Sequence, residues 1–324
     1  MTTKPKILSL GRMDLEVDTE LAKSFEVLRD ETLGLSEILD RHGPEIVGIV
    51  TRGRTPTTGD LISRLPHLEI IANFGVGYDT VDVRAAADRG IVVTNTPDVL
   101  NDEVADLTVG LLLATVRRLP QADRFVRAGH WRPGTEFPLS PSLRGRKVGI
   151  AGMGRIGKVI AKRLEGFDVP LAYCGRNRQP GLQYDYHAEL KALAAAVDVL
   201  IIILPGGPAT RHAVDASVLE ALGPNGILIN VSRGSVVDEE ALIEALQSGT
   251  ILAAGLDVFA KEPHVPEALL AMDNVVVLPH AGSGTHHTRG LMRQLVADNV
   301  RSWFDGKGAI TPVPETPNPL AKTA

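Results

Sequence analysis

Three ionisable side chains in the second half of the chain have the types and settings of a proton-transfer site. Arg233 stands in "NVSRGSVVDEEAL", Glu262 in "GLDVFAKEP" and His280 in "LPHAGSGTHHTR". Each stretch reads as a strand running into a polar loop, so all three fall at or beyond strand carboxyl ends, where open α/β sheets bind ligands. A histidine passes a proton near neutral pH, a carboxylate holds its other ring nitrogen, and an arginine clamps a carboxylate. Together they suit reduction of a 2-keto acid. Taken singly each is ambiguous, since a strand-end histidine is more often a plain polar loop residue and an arginine after serine can simply pair with a nearby acid.

A phosphate-binding turn lies upstream. "KVGIAGMGRIGKVIAKRL" supplies a strand, a turn and an amphipathic helix, with Gly152, Gly154 and Gly157 in G-x-G-x-x-G register. Gly152 permits a tight turn, Gly154 lets backbone approach a pyrophosphate, and Gly157 lets the helix pack closely on the strand. Helix N–H groups and the helix dipole then face the anion. The next strand runs into "LAYCGRNRQP", where a carboxylate about 20 residues beyond the loop would select a free ribose 2′-hydroxyl. No acid stands there. Gly175, Arg176, Asn177 and Arg178 take its place and offer two guanidinium forks to a 2′-phosphate, which favours NADP(H) over NAD(H). Cys174, beside them, reads as a small buried hydrophobe because no base is recognisable near it.

These residues need strands and helices to hold them. Apolar, β-branched runs at 7–10, 46–51, 69–74 and 91–94 predict a first parallel sheet, and a continuous apolar helix is expected over 101–118. Residues 129–145, rich in Pro, Gly and Ser, read as a surface connection. A second alternating series follows, with strands at 147–151, 169–174, 199–204, 227–231, 252–256 and 275–278 and helices between them. A last amphipathic helix, about 285–304, is expected to return to the first module, and the Pro-rich end from Lys307 reads as a poorly ordered tail. The fold class is α/β with two doubly wound parallel-sheet domains, a Rossmann-type cofactor domain over 99–285 and a flavodoxin-like substrate domain over 1–98 with 286–324.

Composition bounds the setting. A chain of 324 residues exceeds what one core comfortably fills, and a formal net charge of -5 with scattered arginines gives no footprint for nucleic acid. One cysteine excludes an intramolecular disulfide and a cysteine-based zinc site and fits a reducing compartment. No apolar run is long enough for a membrane span and no secretion signal opens the chain, so a cytoplasmic protein is expected.

From "ANFGVGYDTVD" and "VVTNTPDVLNDEVADLTVGLLLATVRRL" through "GIAGMGRIG", "LPGGPATRH" and the three strand-end motifs, the chain resembles the D-isomer-specific 2-hydroxyacid dehydrogenase family. Within it the chain looks like the glyoxylate/hydroxypyruvate reductases. The resemblance implies that His280 is the acid/base, Glu262 its carboxylate partner, and Arg233 the residue that binds the substrate's carboxylate and carbonyl. It implies that backbone N–H groups of Val76 and Gly77 receive the substrate carboxylate and that Leu100 adds to the pocket wall. It implies that Thr108, Arg155, Ile156, Leu204, Pro205, Thr210, Val231, Ser232, Asp257, Gly282 and Ser283 line the cofactor, with Asp257 near the nicotinamide carboxamide.

The expected activity is therefore NADPH-dependent reduction of a small 2-keto acid to the D-2-hydroxy acid. A homodimer is expected, each subunit closing its two domains about residues 97–100 and 282–288. Human-type hydroxypyruvate reductases carry a second tryptophan soon after the one resembling Trp131; here Pro133 and Gly134 stand in that region. His286 and His287 are adjacent on a helix and point apart, so no metal site is expected. Two other readings remain, a non-catalytic NADP(H)-sensing protein resembling co-repressors of this family and a short phosphoglycerate dehydrogenase. The lack of long partner-binding extensions and of a regulatory domain favours the reductase.

Overall fold

The computed structural model describes residues 4–11 and 13–317. Short β-branched strands that must bury both faces do so in parallel sheets covered by helices. The chain makes this arrangement twice, in two compact units, Met1–Leu100 with Thr285–Ala324 and Asn101–Gly284.

Among the described residues, the first unit has strands β1 (Lys6–Ser9), β2 (Glu26–Arg29), β3 (Ile46–Arg52), β4 (Ile70–Phe74) and β5 (Val92–Thr94), ordered β2-β1-β3-β4-β5 and all parallel. This is the flavodoxin-type order. The period of two along each strand divides the core. Ile71 and Val93 pack with Ile38, Ile62 and Leu65, whereas their neighbours Ile70 and Val92 pack with Trp303 and Ala309. The helix His286–Phe304 thus returns to cover this sheet, and Trp303 Nε1 donates to the Glu69 carboxylate at 2.9 Å. β2 is absent from the sequence reading because its "EVLR" is a short, charged edge strand with little apolar signal.

The expected loose tail needs correction as far as residue 317. Val313 is 2 % exposed, its N–H donates to the Val93 carbonyl at 2.8 Å, and Pro312 bridges Thr94. Pro-rich composition signals no regular element, yet the outer edge of β5 offers backbone groups that must be paired, and this segment pairs them. Residues 318–324 lie outside the described residues.

The second unit carries β6 (Val148–Ala151), β7 (Leu171–Cys174), β8 (Asp185–His187), β9 (Val199–Ile202), β10 (Ile227–Asn230), β11 (Ala253–Leu256) and β12 (Val275–Val277). Their order, β12-β11-β10-β9-β6-β7-β8, is the doubly wound dinucleotide-binding arrangement with one further strand. Leu200, Leu228 and Ala254 face one hydrophobic cluster; Val199, Ile227 and Ile229 face the other, which the helix Asn101–Arg117 covers with Leu111, Leu112 and Val116. That helix ends at Arg117, where Arg118 takes a left-handed φ of 54° and a second helix, Leu119–Arg127, starts with Pro120 in its first turn. Proline has no N–H to continue the first helix and a φ suited to opening the next.

The C-terminal segment hangs on one side chain. Asn299 is fully buried; its Oδ1 accepts from the N–H groups of Ile310 and Thr311, each at 2.9 Å, and its Nδ2 donates to Thr311 Oγ1 at 2.9 Å. Asn299→Leu keeps the bulk but orphans both backbone donors, at about 1–3 kcal/mol each. The variant should unfold at clearly lower denaturant, and limited proteolysis should cut near residue 310 first. Unchanged unfolding and cleavage would show that the segment is held by other contacts.

Candidate active site

The glycine turn after β6 is shaped by what a Cβ would strike. On Gly152, whose φ is +107°, a Cβ would lie 2.5 Å from the Ile203 carbonyl oxygen, and on Gly157 it would lie 2.0 Å from the Gly152 carbonyl oxygen. On Gly154 it would meet nothing within 4 Å. The turn is therefore tight behind and open in front, where the helix Arg155–Glu165 begins with no side-chain cap and no acid in its first turn. Such an N-terminus suits a pyrophosphate. Arg155 and Ile156 open that helix, and Arg176, Asn177 and Arg178 are exposed at the end of β7 with no acid among them. These residues fit an NADP-type dinucleotide. Burial pushes the neighbouring Cys174 thiol up, as expected for an inert packing residue.

The remaining expected cofactor residues stand on the other strand-end loops. Leu204 and Pro205 follow β9, and Thr210 Oγ1 donates to the Pro205 carbonyl at 2.6 Å. Val231 and Ser232 follow β10 and are buried. Thr108 is buried in the helix Asn101–Arg117 and spends its hydroxyl on the Val104 carbonyl at 2.6 Å.

Arg233, Glu262 and His280 lie on loops beyond β10, β11 and β12, three adjacent strands. His280 Nδ1 is 2.8 Å from Glu262 Oε2 and 3.0 Å from Oε1. An ionised carboxylate only accepts, so the proton of this bond belongs to Nδ1, and Nε2 is left as the atom that can exchange a proton. The pair is accessible without being wet, with side-chain exposures of 28 % for His280 and 14 % for Glu262.

Backbone geometry delivers these side chains. His280 has φ +58°, and the turn after it is held by Asp257, whose Oδ1 accepts from Ala281 N–H at 2.6 Å and Oδ2 from Gly282 N–H at 2.9 Å. Ser283 follows in the same loop. Asn230, at the end of β10, accepts from the Ser232 N–H and hydroxyl and donates to the Arg233 carbonyl at 3.1 Å. Arg233 Nη1 in turn donates to the Ser232 carbonyl at 2.9 Å. A Cβ on Gly234 would fall 1.9 Å from the Phe259 carbonyl carbon, so only glycine lets the Arg233 loop lie against the loop that leads to Glu262.

A strand-end cap was among the readings open for Asp257 in the sequence, whereas Asn230 escaped it, although an asparagine at a strand end is an Asx-turn signal.

Val76, Gly77 and Leu100 belong to the first unit. The loop after β4 is anchored through its carbonyls. Asn73 Nδ2 donates to those of Gly75 and Gly77, both at 3.1 Å, and Asn95 Nδ2 donates to that of Val76 at 2.9 Å. Neither asparagine was anticipated. A cavity of about 740 Å³ is walled by Lys147 and by residues 178–187, on the β7–β8 side of the sheet, at the edge opposite the loops of Glu262 and His280.

Burial pushes the Asp257 carboxyl above its ordinary 3.8. The folded chain then holds that proton more tightly than the unfolded chain. The group's contribution to stability is therefore full below 3.8 and is lost as pH rises through the raised folded value. Asp257→Asn should remove this loss, so its thermal midpoint should vary less with pH over that window than the wild type's in a pH series of melting curves. An unchanged slope would contradict the assignment.

Comparison with known proteins agrees with this geometry. Residues 109–282 match the model of the D-isomer specific 2-hydroxyacid dehydrogenase NAD binding domain. The glyoxylate/hydroxypyruvate reductase A of Arabidopsis thaliana is 46% identical over 95% of this chain and 98% of its own length. The 2-ketogluconate reductase of Gluconobacter oxydans is 41% identical over 97% and 100%. The crystal structure of an NADPH-dependent glyoxylate/hydroxypyruvate reductase from Sinorhizobium meliloti, in complex with NADP and malonate, superposes with a TM-score of 0.91 at 52% identity, covering 98% of each chain. With a family model matched over more than half of the chain and relatives above 40% identity over nearly its whole length, this protein belongs to the D-isomer-specific 2-hydroxyacid dehydrogenase family.

Proposed function

We propose that the protein is an NADPH-dependent reductase of small 2-keto acids, of the glyoxylate/hydroxypyruvate type, that forms the D-2-hydroxy acid. Asn101–Gly284 is the cofactor unit in this reading, and Met1–Leu100 with Thr285–Ala324 is the substrate unit. The observation that carries the reading is the 2.8 Å bond between His280 Nδ1 and Glu262, set on strand ends beside Arg233.

NADPH, when bound, supplies the hydride that reaches the carbonyl carbon. The glycine turn with Arg155 and Ile156 would hold its pyrophosphate, and Arg176 and Arg178 its 2′-phosphate. His280 carries a proton on Nε2 and gives it to the carbonyl oxygen as negative charge develops there. Glu262 accepts from Nδ1, fixes the ring's orientation and offsets the charge of the imidazolium. Arg233 binds the carboxylate and polarises the carbonyl, with its fork already steadied by the Ser232 carbonyl. The loop at Val76 and Gly77 remains the proposed source of backbone donors for the carboxylate, and Leu100 of an apolar wall.

The assembly proposed is a homodimer. It is supported by apolar side chains of the cofactor unit that lie open to solvent in one stretch of sequence, Leu119 at 51%, Val126 at 52%, Trp131 at 71% and Leu139 at 99% exposure. Among the described residues no helix is long and apolar enough to cross a membrane. The proposed location is the cytoplasm, with the single, half-buried Cys174 in support.

Three measurements test the proposal. Initial rates of NADPH and NADH oxidation with glyoxylate, hydroxypyruvate, a sugar-derived keto acid and an aryl pyruvate should show turnover and a preference for NADPH. His280→Gln should lower turnover roughly 10²–10⁴-fold while cofactor affinity barely changes. Near-normal turnover in that variant, where chemistry limits the rate, would sink the mechanism. Sedimentation at micromolar concentration should give a dimer, and a monomer would reject the assembly.

A further inference from the structure

The loop that carries Arg176, Asn177 and Arg178 is held at both ends by tyrosines. Tyr173 on β7 and Tyr186 on β8 are register partners in the parallel ladder, with ring centroids 5.3 Å apart. The Tyr186 hydroxyl donates to the Gly175 carbonyl at 3.2 Å, on the residue before the polar trio. The Tyr173 hydroxyl accepts from the Gln179 N–H at 2.8 Å, on the residue after it. The trio is exposed, whereas Gly175 and Gln179 are half-buried.

Gln179 adds a third tie. Its Nε2 donates at 2.6 Å to the carbonyl of Met153, the residue between Gly152 and Gly154. The arginine loop and the pyrophosphate turn are therefore bonded directly to each other. Tyr173 is 1 % exposed, so water cannot readily replace its hydroxyl as partner of the Gln179 N–H.

We propose that Tyr173, Tyr186 and Gln179 are positioning residues that set cofactor choice, holding the arginine loop in register with the glycine turn before any dinucleotide arrives. The inference rests on the NADP(H) reading of Arg176 and Arg178. Ordering a polar loop costs conformational entropy, and a loop already ordered in the free protein spares the ligand that cost. A cofactor with a 2′-phosphate gains from the preset guanidinium forks. One without it makes no use of them and should be indifferent to the clamp.

Calorimetric titration with NADPH and with NADH separates this from a merely structural role. Tyr186→Phe and Gln179→Met keep bulk and remove one tie each, while Arg176→Ala with Arg178→Ala serves as the reference. Each clamp variant should weaken NADPH binding roughly 3- to 10-fold and leave NADH binding within about 2-fold, with little change in melting temperature. Turnover at saturating NADPH should stay near the wild-type value. Equal losses for both cofactors, or no loss for either, would overturn the inference. If the arginine double variant shifts the NADPH-to-NADH affinity ratio and the clamp variants do not, the clamp alone falls. If the arginine variant leaves the ratio unmoved, the NADP(H) reading fails and the clamp inference falls with it.

Discussion

A buried carboxylate, Asp257, fixes the backbone that presents His280 to Glu262. It takes two successive N–H groups, those of Ala281 and Gly282, and so holds the turn that follows His280. His280 itself sits at φ +58°, a conformation that costs a residue with a side chain on the order of 1–3 kcal/mol. The two N–H groups that donate to the Asp257 carboxyl, itself only 1 % exposed, offset that cost. With the turn fixed, the imidazole can meet Glu262 at 2.8 Å. Because β10, β11 and β12 are neighbours, the loops bearing Arg233, Glu262 and His280 stand side by side, and Gly234 lets two of them touch.

Elsewhere the strand-end loops are tied by side-chain amides. Asn230 holds the turn to Arg233, Asn73 and Asn95 hold three consecutive carbonyls of the loop with Val76 and Gly77, Gln179 joins the loop after β7 to the glycine turn, and Asn299 secures the C-terminal segment. An amide offers both a donor and an acceptor without placing a charge in the interior, so it can satisfy backbone groups that a loop leaves unpaired. That is the need at the carboxyl ends of a parallel sheet, where the ladder stops and the chain must turn while staying partly buried.

Much of this was legible in the sequence. Both parallel sheets followed from short β-branched runs, and the glycine turn from its spacing between a strand and a helix. What escaped were elements with weak local signals. β2 and β8 are short, polar edge strands that exist because a neighbouring strand offers an unpaired edge. The helix Leu119–Arg127 was hidden by the proline that starts it, and the segment 311–316 by a composition that resembles disorder.

The sequence by itself determined which residue types capable of chemistry stand at strand ends, Arg233, Glu262 and His280 among them. It also determined the sheet architecture, because hydrophobic period is local and each strand announces its own buried faces. Only the tertiary structure decided how that chemistry is aimed. The bonds from Asp257 to the turn after His280, from Asn230 across to Arg233, and from Tyr173, Tyr186 and Gln179 to the arginine loop are contacts between groups whose partnership no local pattern encodes. They depend on which strands lie next to one another, and that order is set by packing across the sheet.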